Sequence, residues 1–173
     1  MADNSKAEFG KSPESLKRGK FKVLIIENDI DFIFIIKDQF KERKDIDITF
    51  SIAGEKALDI LWKAKEMEEP FNLVVTDSSL VGELNGVEVA EAVKEKKFAQ
   101  RTFMLSVFPE RLTTEMKKKG VGEIIPKTEI TRLPNSVSRE LLRQRDPQAF
   151  RMELRVKPRK EIKNKAAEMP AKL

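Results

Sequence analysis

Residues 71–86 read FNLVVTDSSLVGELNG. Phe71–Thr76 is a short apolar run with the length and composition of a strand. Asp77 closes that run, and a polar loop with two glycines, Gly82 and Gly86, follows it. Upstream, Phe21–Ile26 (FKVLII) is a run of the same kind, nearly continuous, and suits a strand buried on both faces of a parallel sheet. Between the two, Phe32, Ile33, Ile35, Ile36 and Phe40 recur at helical spacing behind Asp29 or Asp31 as a cap. Ile46–Ile52 (IDITFSI) alternates, as an edge strand with one wet face does. Glu55–Met67 carries Ala57, Leu58, Leu61 and Trp62 as a helical stripe, and Pro70 closes it.

Downstream the alternation repeats. Val87–Lys96 is read as a helix, Thr102–Val107 (TFMLSV) as a strand, and Glu110–Lys119 as a helix stopped by Gly120. Val121–Pro126 is a short strand. Leu133–Arg145 is a helix with Leu133, Val137, Leu141 and Leu142 on one side. Five strands alternating with five helices predict an α/β fold, a doubly wound parallel sheet with right-handed crossovers. The functional crevice of such a sheet lies at the C-terminal ends of its strands.

Composition narrows the chemistry. The 173 residues contain no Cys and no His. That excludes disulfides, thiolate metal sites, Ser-His-Asp catalysis and a phosphohistidine on this chain. No apolar run approaches the length that crosses a bilayer, and residues 1–20 lack the apolar core of a secretory signal, so a cytoplasmic protein is expected. The net charge of +5 is localised: residues 151–173 hold eight basic and three acidic side chains, a difference of +5 that equals the excess of the whole chain.

Three regions follow: a polar lead over 1–19 expected to be disordered, a globular part over 20–145, and a basic tail over 146–173. In the tail, Phe150, Met152, Leu154 and Val156 alternate with charged residues, which predicts an extra edge strand or an extended docking peptide. Four apolar side chains in register predict that this segment is ordered against the globular part or a partner. The stretch from Lys157 onward is expected to be unstructured on its own.

The strand ends are chemically distinctive. The first strand runs into Glu27-Asn28-Asp29, the third ends at Asp77, the fourth carries Ser106 and the fifth runs into Lys127. Converging on one crevice, these groups make a site for a hard cation and an oxyanion. Singly, each has a plainer reading: a turn or cap residue, a solvated lysine, a serine satisfying a backbone group.

FKVLIIENDIDF, FNLVVTDSSLVGELNG, FMLSVFPE and GVGEIIPKTEI, in that order, resemble the receiver domain of bacterial two-component response regulators over about residues 20–145. The resemblance implies a flavodoxin-like sheet of order 2-1-3-4-5. It implies that Asp77 accepts a phosphoryl group from a histidine kinase or a phosphotransfer protein. It implies Mg²⁺ held by Glu27, Asn28, Asp77 and the backbone carbonyl of Ser79, with the Ser106 hydroxyl and the Lys127 ammonium on the phosphoryl oxygens. Such a protein is a signalling domain rather than an enzyme, and the logic is that of phosphoryl transfer in general: positioning plus positive charge.

The sequence departs from the family at several points. Asn28 stands where the second acid is usual. A unit charge about 4 Å away is worth up to about 4 kcal/mol at an effective dielectric near 20, so Mg²⁺ is expected to bind weakly. Val107 replaces a small residue, Thr128 a proline, and Ile124 the aromatic that reports phosphorylation. The loop after Asp77 is one residue longer than the commonest form.

The alternatives are a pseudo-receiver that binds partners without phosphorylation and a small phosphatase with Asp77 as nucleophile. The phosphatase would place an acid-base carboxylate where Ser79 stands. No Gly-rich phosphate loop is present. The roughly 28 residues after the globular part are too few for a helix-turn-helix output domain, which predicts action through protein contacts, possible downstream contacts through residues 150–173 included. The tail lacks the aromatic platforms of a nucleic-acid binder.

Overall fold

The computed structural model of the protein describes residues 19–156. The elements run β1 Phe21–Ile26, α1 Ile30–Phe40, β2 Ile46–Ser51, α2 Gly54–Glu66, β3 Phe71–Asp77, α3 Gly86–Lys96, β4 Ala99–Ser106, a 3₁₀ turn Pro109–Leu112, α4 Thr113–Lys118, β5 Val121–Pro126, a second 3₁₀ turn Lys127–Arg132, α5 Leu133–Arg145 and α6 Pro147–Val156. All strand pairings are parallel, in the order β2-β1-β3-β4-β5. This is the doubly wound sheet that the sequence predicts. The disordered lead expected over residues 1–19, except for Gly19, and the basic stretch 157–173 lie outside the described residues.

Side-chain parity divides the core. Val23 and Ile25 of β1, Leu73 and Val75 of β3, and Phe103 and Leu105 of β4 pack with Ile36 and Phe40 of α1 and Leu133 and Val137 of α5. Leu24, Ile26 and Val74 point the other way, onto Ala57 and Leu61 of α2 and Val89 and Val93 of α3. Alternate residues of one strand thus serve opposite layers, which is why the central strands read as unbroken apolar runs. Met104, Ala90, Met116 and Val121 fill the remaining space beneath α4.

Helix starts follow local chemistry. Asp29, not Asp31, caps α1: its carboxylate accepts from the Asp31 N–H at 2.9 Å. Asn85 and Glu88 form a reciprocal capping box at α3.

Several expectations need correction. The period-two segment after Pro147 is not extended. It is α6, packed on α5 as a helical hairpin. Asp146 starts it: its carboxylate accepts from the Ala149 N–H at 2.9 Å, its carbonyl accepts from the Phe150 N–H at 3.0 Å, and Pro147 supplies a preset first-turn φ. Phe150 and Leu154 are four apart, as are Met152 and Val156, so the pattern serves a helix as well as a strand. The segment thus lies against α5 as a helix, with Met152 and Leu154 exposed rather than aligned on one buried side. The described residues hold six α-helices rather than five.

The helix expected over Glu110–Lys119 splits into a 3₁₀ turn and the six-residue α4. Val107 and Ile52 fall just outside their strands and are exposed. Trp62, placed in the apolar stripe of α2, is only partly covered, meeting Phe98 edge-on with ring centroids 4.8 Å apart.

Candidate functional site

The crevice at the C-terminal strand ends is built around a lysine between two carboxylates. Glu27 follows β1 and is fully buried, and its backbone N–H continues the ladder to Ser51 at 3.0 Å. Asp77 is the last residue of β3, paired in register with Leu105, and is also buried. Lys127 comes off the end of β5 into the second 3₁₀ turn, and its side chain lies inside the protein. Its Nζ donates to Asp77 Oδ2 at 2.9 Å and lies 2.7 Å from Glu27 Oε2. The Phe32 ring sits beneath the same ammonium, 4.4 Å from centroid to nitrogen.

The remaining valences are specific. Asp77 Oδ1 accepts from the Ser79 N–H at 3.1 Å, and Glu27 Oε1 accepts from the Asp29 N–H at 3.0 Å. Glu27 Oε2 is buried and has the Lys127 ammonium as its partner, in a close ionic contact. Burial raises the Glu27 pKa above the ordinary carboxylate value. The Lys127 ammonium and the Asp29 N–H pull against it, and the Asp77 charge adds to it. For Lys127, burial alone would lower the pKa. The Glu27 and Asp77 carboxylates outweigh burial and raise it.

Backbone packing holds Asp77 in place. A Cβ on Gly86 would lie 1.8 Å from the Asp77 carbonyl oxygen, so the start of α3 can pass behind Asp77 only as glycine. The intervening loop is tied to α2: Glu55 Oε1 accepts from the Leu84 N–H at 2.7 Å. These contacts fix the longer loop at Leu84 and Gly86.

Ser106 ends β4 and is buried. Its Oγ accepts from the Phe108 N–H at 3.1 Å and from Ser78 Oγ at 3.2 Å. The structure therefore brings Glu27, Asp77 and Lys127 into direct contact and sets Ser106 on the residue after Asp77. Asn28 and Ser79 border the crevice and are exposed. Ile124, at the position of the family's aromatic reporter, is half-buried against the cluster beneath α4. Among the described residues no group of three acidic, His or Cys side chains is arranged to hold a metal. Sequence reading missed Ser78 and Phe32. Ser78 adjoins Asp77, and that adjacency was the available signal; nothing local pointed to Phe32. A groove bordered by Lys20, Lys22, Glu69 and Arg145 opens at the opposite end of the sheet and shares none of this chemistry.

No protein-family model matches the sequence, and no curated protein sequence matches it. Solved structures do match. The signal receiver domain of a protein described as a Luxo repressor from Vibrio parahaemolyticus aligns with a TM-score of 0.63 at 19% identity, covering 80% of this chain and 98% of that one. The receiver domain of the Francisella response regulator 1452 aligns with a TM-score of 0.61 at 22% identity over 72% of this chain and 98% of its own. The receiver domain of the Saccharomyces cerevisiae response regulator Ssk1, solved with the histidine phosphotransfer protein Ypd1, aligns with a TM-score of 0.59 at 21% identity over 73% and 92%. The chain has the fold of a response-regulator receiver domain, of the flavodoxin-like type. Among the described residues no helix is long and apolar enough to cross a membrane.

Proposed function

We propose that this protein accepts a phosphoryl group on Asp77 from a phosphohistidine of a partner histidine kinase or phosphotransfer protein, and signals through protein contacts. The observation that carries the reading is the buried Lys127 ammonium in contact with both Asp77 and Glu27. In the reaction an Asp77 carboxylate oxygen forms the new O–P bond while the N–P bond of the donor breaks, and the imidazole leaves with the bonding pair. Lys127 already lies against Asp77 Oδ2 and offsets the negative charge that arrives with the phosphoryl oxygens. Ser106 supplies a hydroxyl at the end of the neighbouring strand.

The donor set also fits a hard cation. Glu27 and Asp77 are two buried carboxylates on the same Lys127 ammonium, and oxygens of this kind suit a small oxygen-seeking ion that competes with that ammonium. Glu27, Asn28, Asp77 and the Ser79 carbonyl would hold Mg²⁺, which supplies positive charge to phosphoryl oxygens when bound. Asn28 is uncharged and Lys127 already contacts both carboxylates, so the ion binds weakly.

Partner recognition has a physical basis at the same end of the molecule. Ile30, Ile52, Val81, Val107 and Phe108 are exposed and lie in the loops or first helical turn that follow the C-terminal strand ends, and Phe34 is exposed one turn further along α1. An apolar collar around a charged centre suits a partner that presents a donor side chain on an apolar helix face. The reading places the protein in the cytoplasm, with any downstream partner met through the collar or residues 150–173. The experiment is incubation with acetyl phosphate and Mg²⁺ followed by intact mass. One phosphoryl adduct is expected in the wild type and none in Asp77→Asn. A wild type without an adduct would favour the pseudo-receiver, the reading in which Asn28 in place of a second acid matters most.

A further inference from the structure

Three serines meet where β3 and β4 end. Ser78 directly follows Asp77, and its N–H donates to the Leu105 carbonyl at 2.8 Å, so the ladder between the two strands runs one residue past the carboxylate. Ser78 Oγ donates to Ser106 Oγ at 3.2 Å and has Ser79 Oγ 3.4 Å away. Ser106 Oγ also accepts from the Phe108 N–H at 3.1 Å. A serine oxygen has two lone pairs and one proton. Here both lone pairs are engaged, so Ser106 has only its proton to give.

A phosphoryl oxygen is an acceptor. A serine free to rotate would face it with a lone pair part of the time, and a serine whose lone pairs are both engaged faces it as a donor. We propose that Ser78 is a positioning residue for phosphoryl uptake: its hydroxyl commits Ser106 to donate towards the group arriving on Asp77. This inference rests on the reading of Asp77 as phosphoacceptor. Ser78 acts through Ser106 and leaves the reacting atoms to Asp77 and Lys127. Its backbone is held independently of its side chain, by the bond to Leu105 and by the Ser79 N–H on Asp77 Oδ1, so removal of the hydroxyl leaves the strand end in place.

The test uses the full chain as wild type, Ser78→Ala, Ser78→Thr, Ser106→Ala and the Ser78→Ala/Ser106→Ala double variant. Acetyl phosphate uptake is followed by time-resolved intact mass. Ser78→Ala is expected to slow uptake about three- to tenfold, the scale of one neutral hydrogen bond. Ser78→Thr, which keeps the hydroxyl, restores most of the rate. In the Ser106→Ala background, Ser78→Ala changes nothing further. No slowing in Ser78→Ala, or equal slowing in both backgrounds, overturns the proposal.

A second measurement needs no phosphoryl group. Hydrogen exchange at the Phe108 amide, which donates to Ser106 Oγ, is expected to quicken in Ser78→Ala while the Met104 amide within β4 is unchanged. An unchanged Phe108 amide overturns the coupling. A wild type that takes up no phosphoryl group removes the Asp77 reading instead, and the Phe108 amide then decides by itself whether Ser78 fixes Ser106.

Discussion

The single positive charge of Lys127 is shared between two buried carboxylates, Glu27 and Asp77. Its pKa is raised above 10.5: burial opposes the charge, and Glu27 and Asp77 more than compensate. The stabilisation it provides is therefore complete below its ordinary pKa and is lost as pH rises through the raised value. Glu27 is also raised, from 4.5, chiefly by burial, so the folded state holds its proton more tightly than the unfolded chain, and that contribution is lost as pH rises through its folded value. Lys127→Met leaves both carboxylates without their counter-charge and is expected to cost about 3–5 kcal/mol at neutral pH. The loss should be smaller at mildly acidic pH than at neutral pH, because burial raises the Glu27 pKa and its protonation removes one of the two uncompensated charges. Urea denaturation at the two pH values checks this, and a cost independent of pH would contradict it. At the neighbouring position, Asn28→Asp is expected to tighten Mg²⁺ binding and to lower the stability of the metal-free protein. Calorimetric titration reads the first effect, and an unchanged affinity would mean that position 28 does not face the ion.

At the level of elements, close backbone packing and capping make the sharpest demands. Gly86→Ala would drive a Cβ into the Asp77 carbonyl at 1.8 Å, a contact with backbone that only a shift of α3 or β3 relieves. A loss of about 3 kcal/mol is expected in thermal or chemical denaturation, with reduced reactivity at Asp77. Full stability in that variant would mean that the loop after β3 is looser than described. Asp146→Ala removes the carboxylate that accepts from the Ala149 N–H, and about 1 kcal/mol of α6 stability should go with it. Faster amide exchange confined to 147–156 is the signature.

The same elements explain what sequence reading reaches. Buried parallel strands carry apolar side chains on both faces, so β1 and β3 are visible as runs. A short amphipathic segment such as Phe150–Val156 is not decidable that way, since residues four apart share a face of a helix and of a strand alike. There the Asp146-Pro147 start carries the information. The contact of Asp77 with Lys127 is legible from the order of strand ends. The Ser78–Ser106 bond is not, because it depends on the register that sets Asp77 opposite Leu105. Phe32 beneath Lys127 is missed for the same reason, as α1 and the turn after β5 meet only in the folded sheet.

Across the whole molecule, the Glu27, Asp77 and Lys127 charges are buried at the C-terminal end of the sheet with exposed apolar residues in the segments that follow the strands, Glu140 is buried separately on α5, and the net positive excess belongs to residues 151–173. That arrangement suits a domain whose chemistry and partner contacts share one face. The direct measurement is site mapping: treat the protein with acetyl phosphate and Mg²⁺, reduce with borohydride, digest, and sequence the peptide spanning residues 71–86 by mass spectrometry. Reduction of an aspartyl phosphate leaves homoserine, which is expected at position 77 and at no other carboxylate. An intact Asp77, with the phosphoryl group elsewhere or absent, would contradict the assignment of this site as a phosphoacceptor.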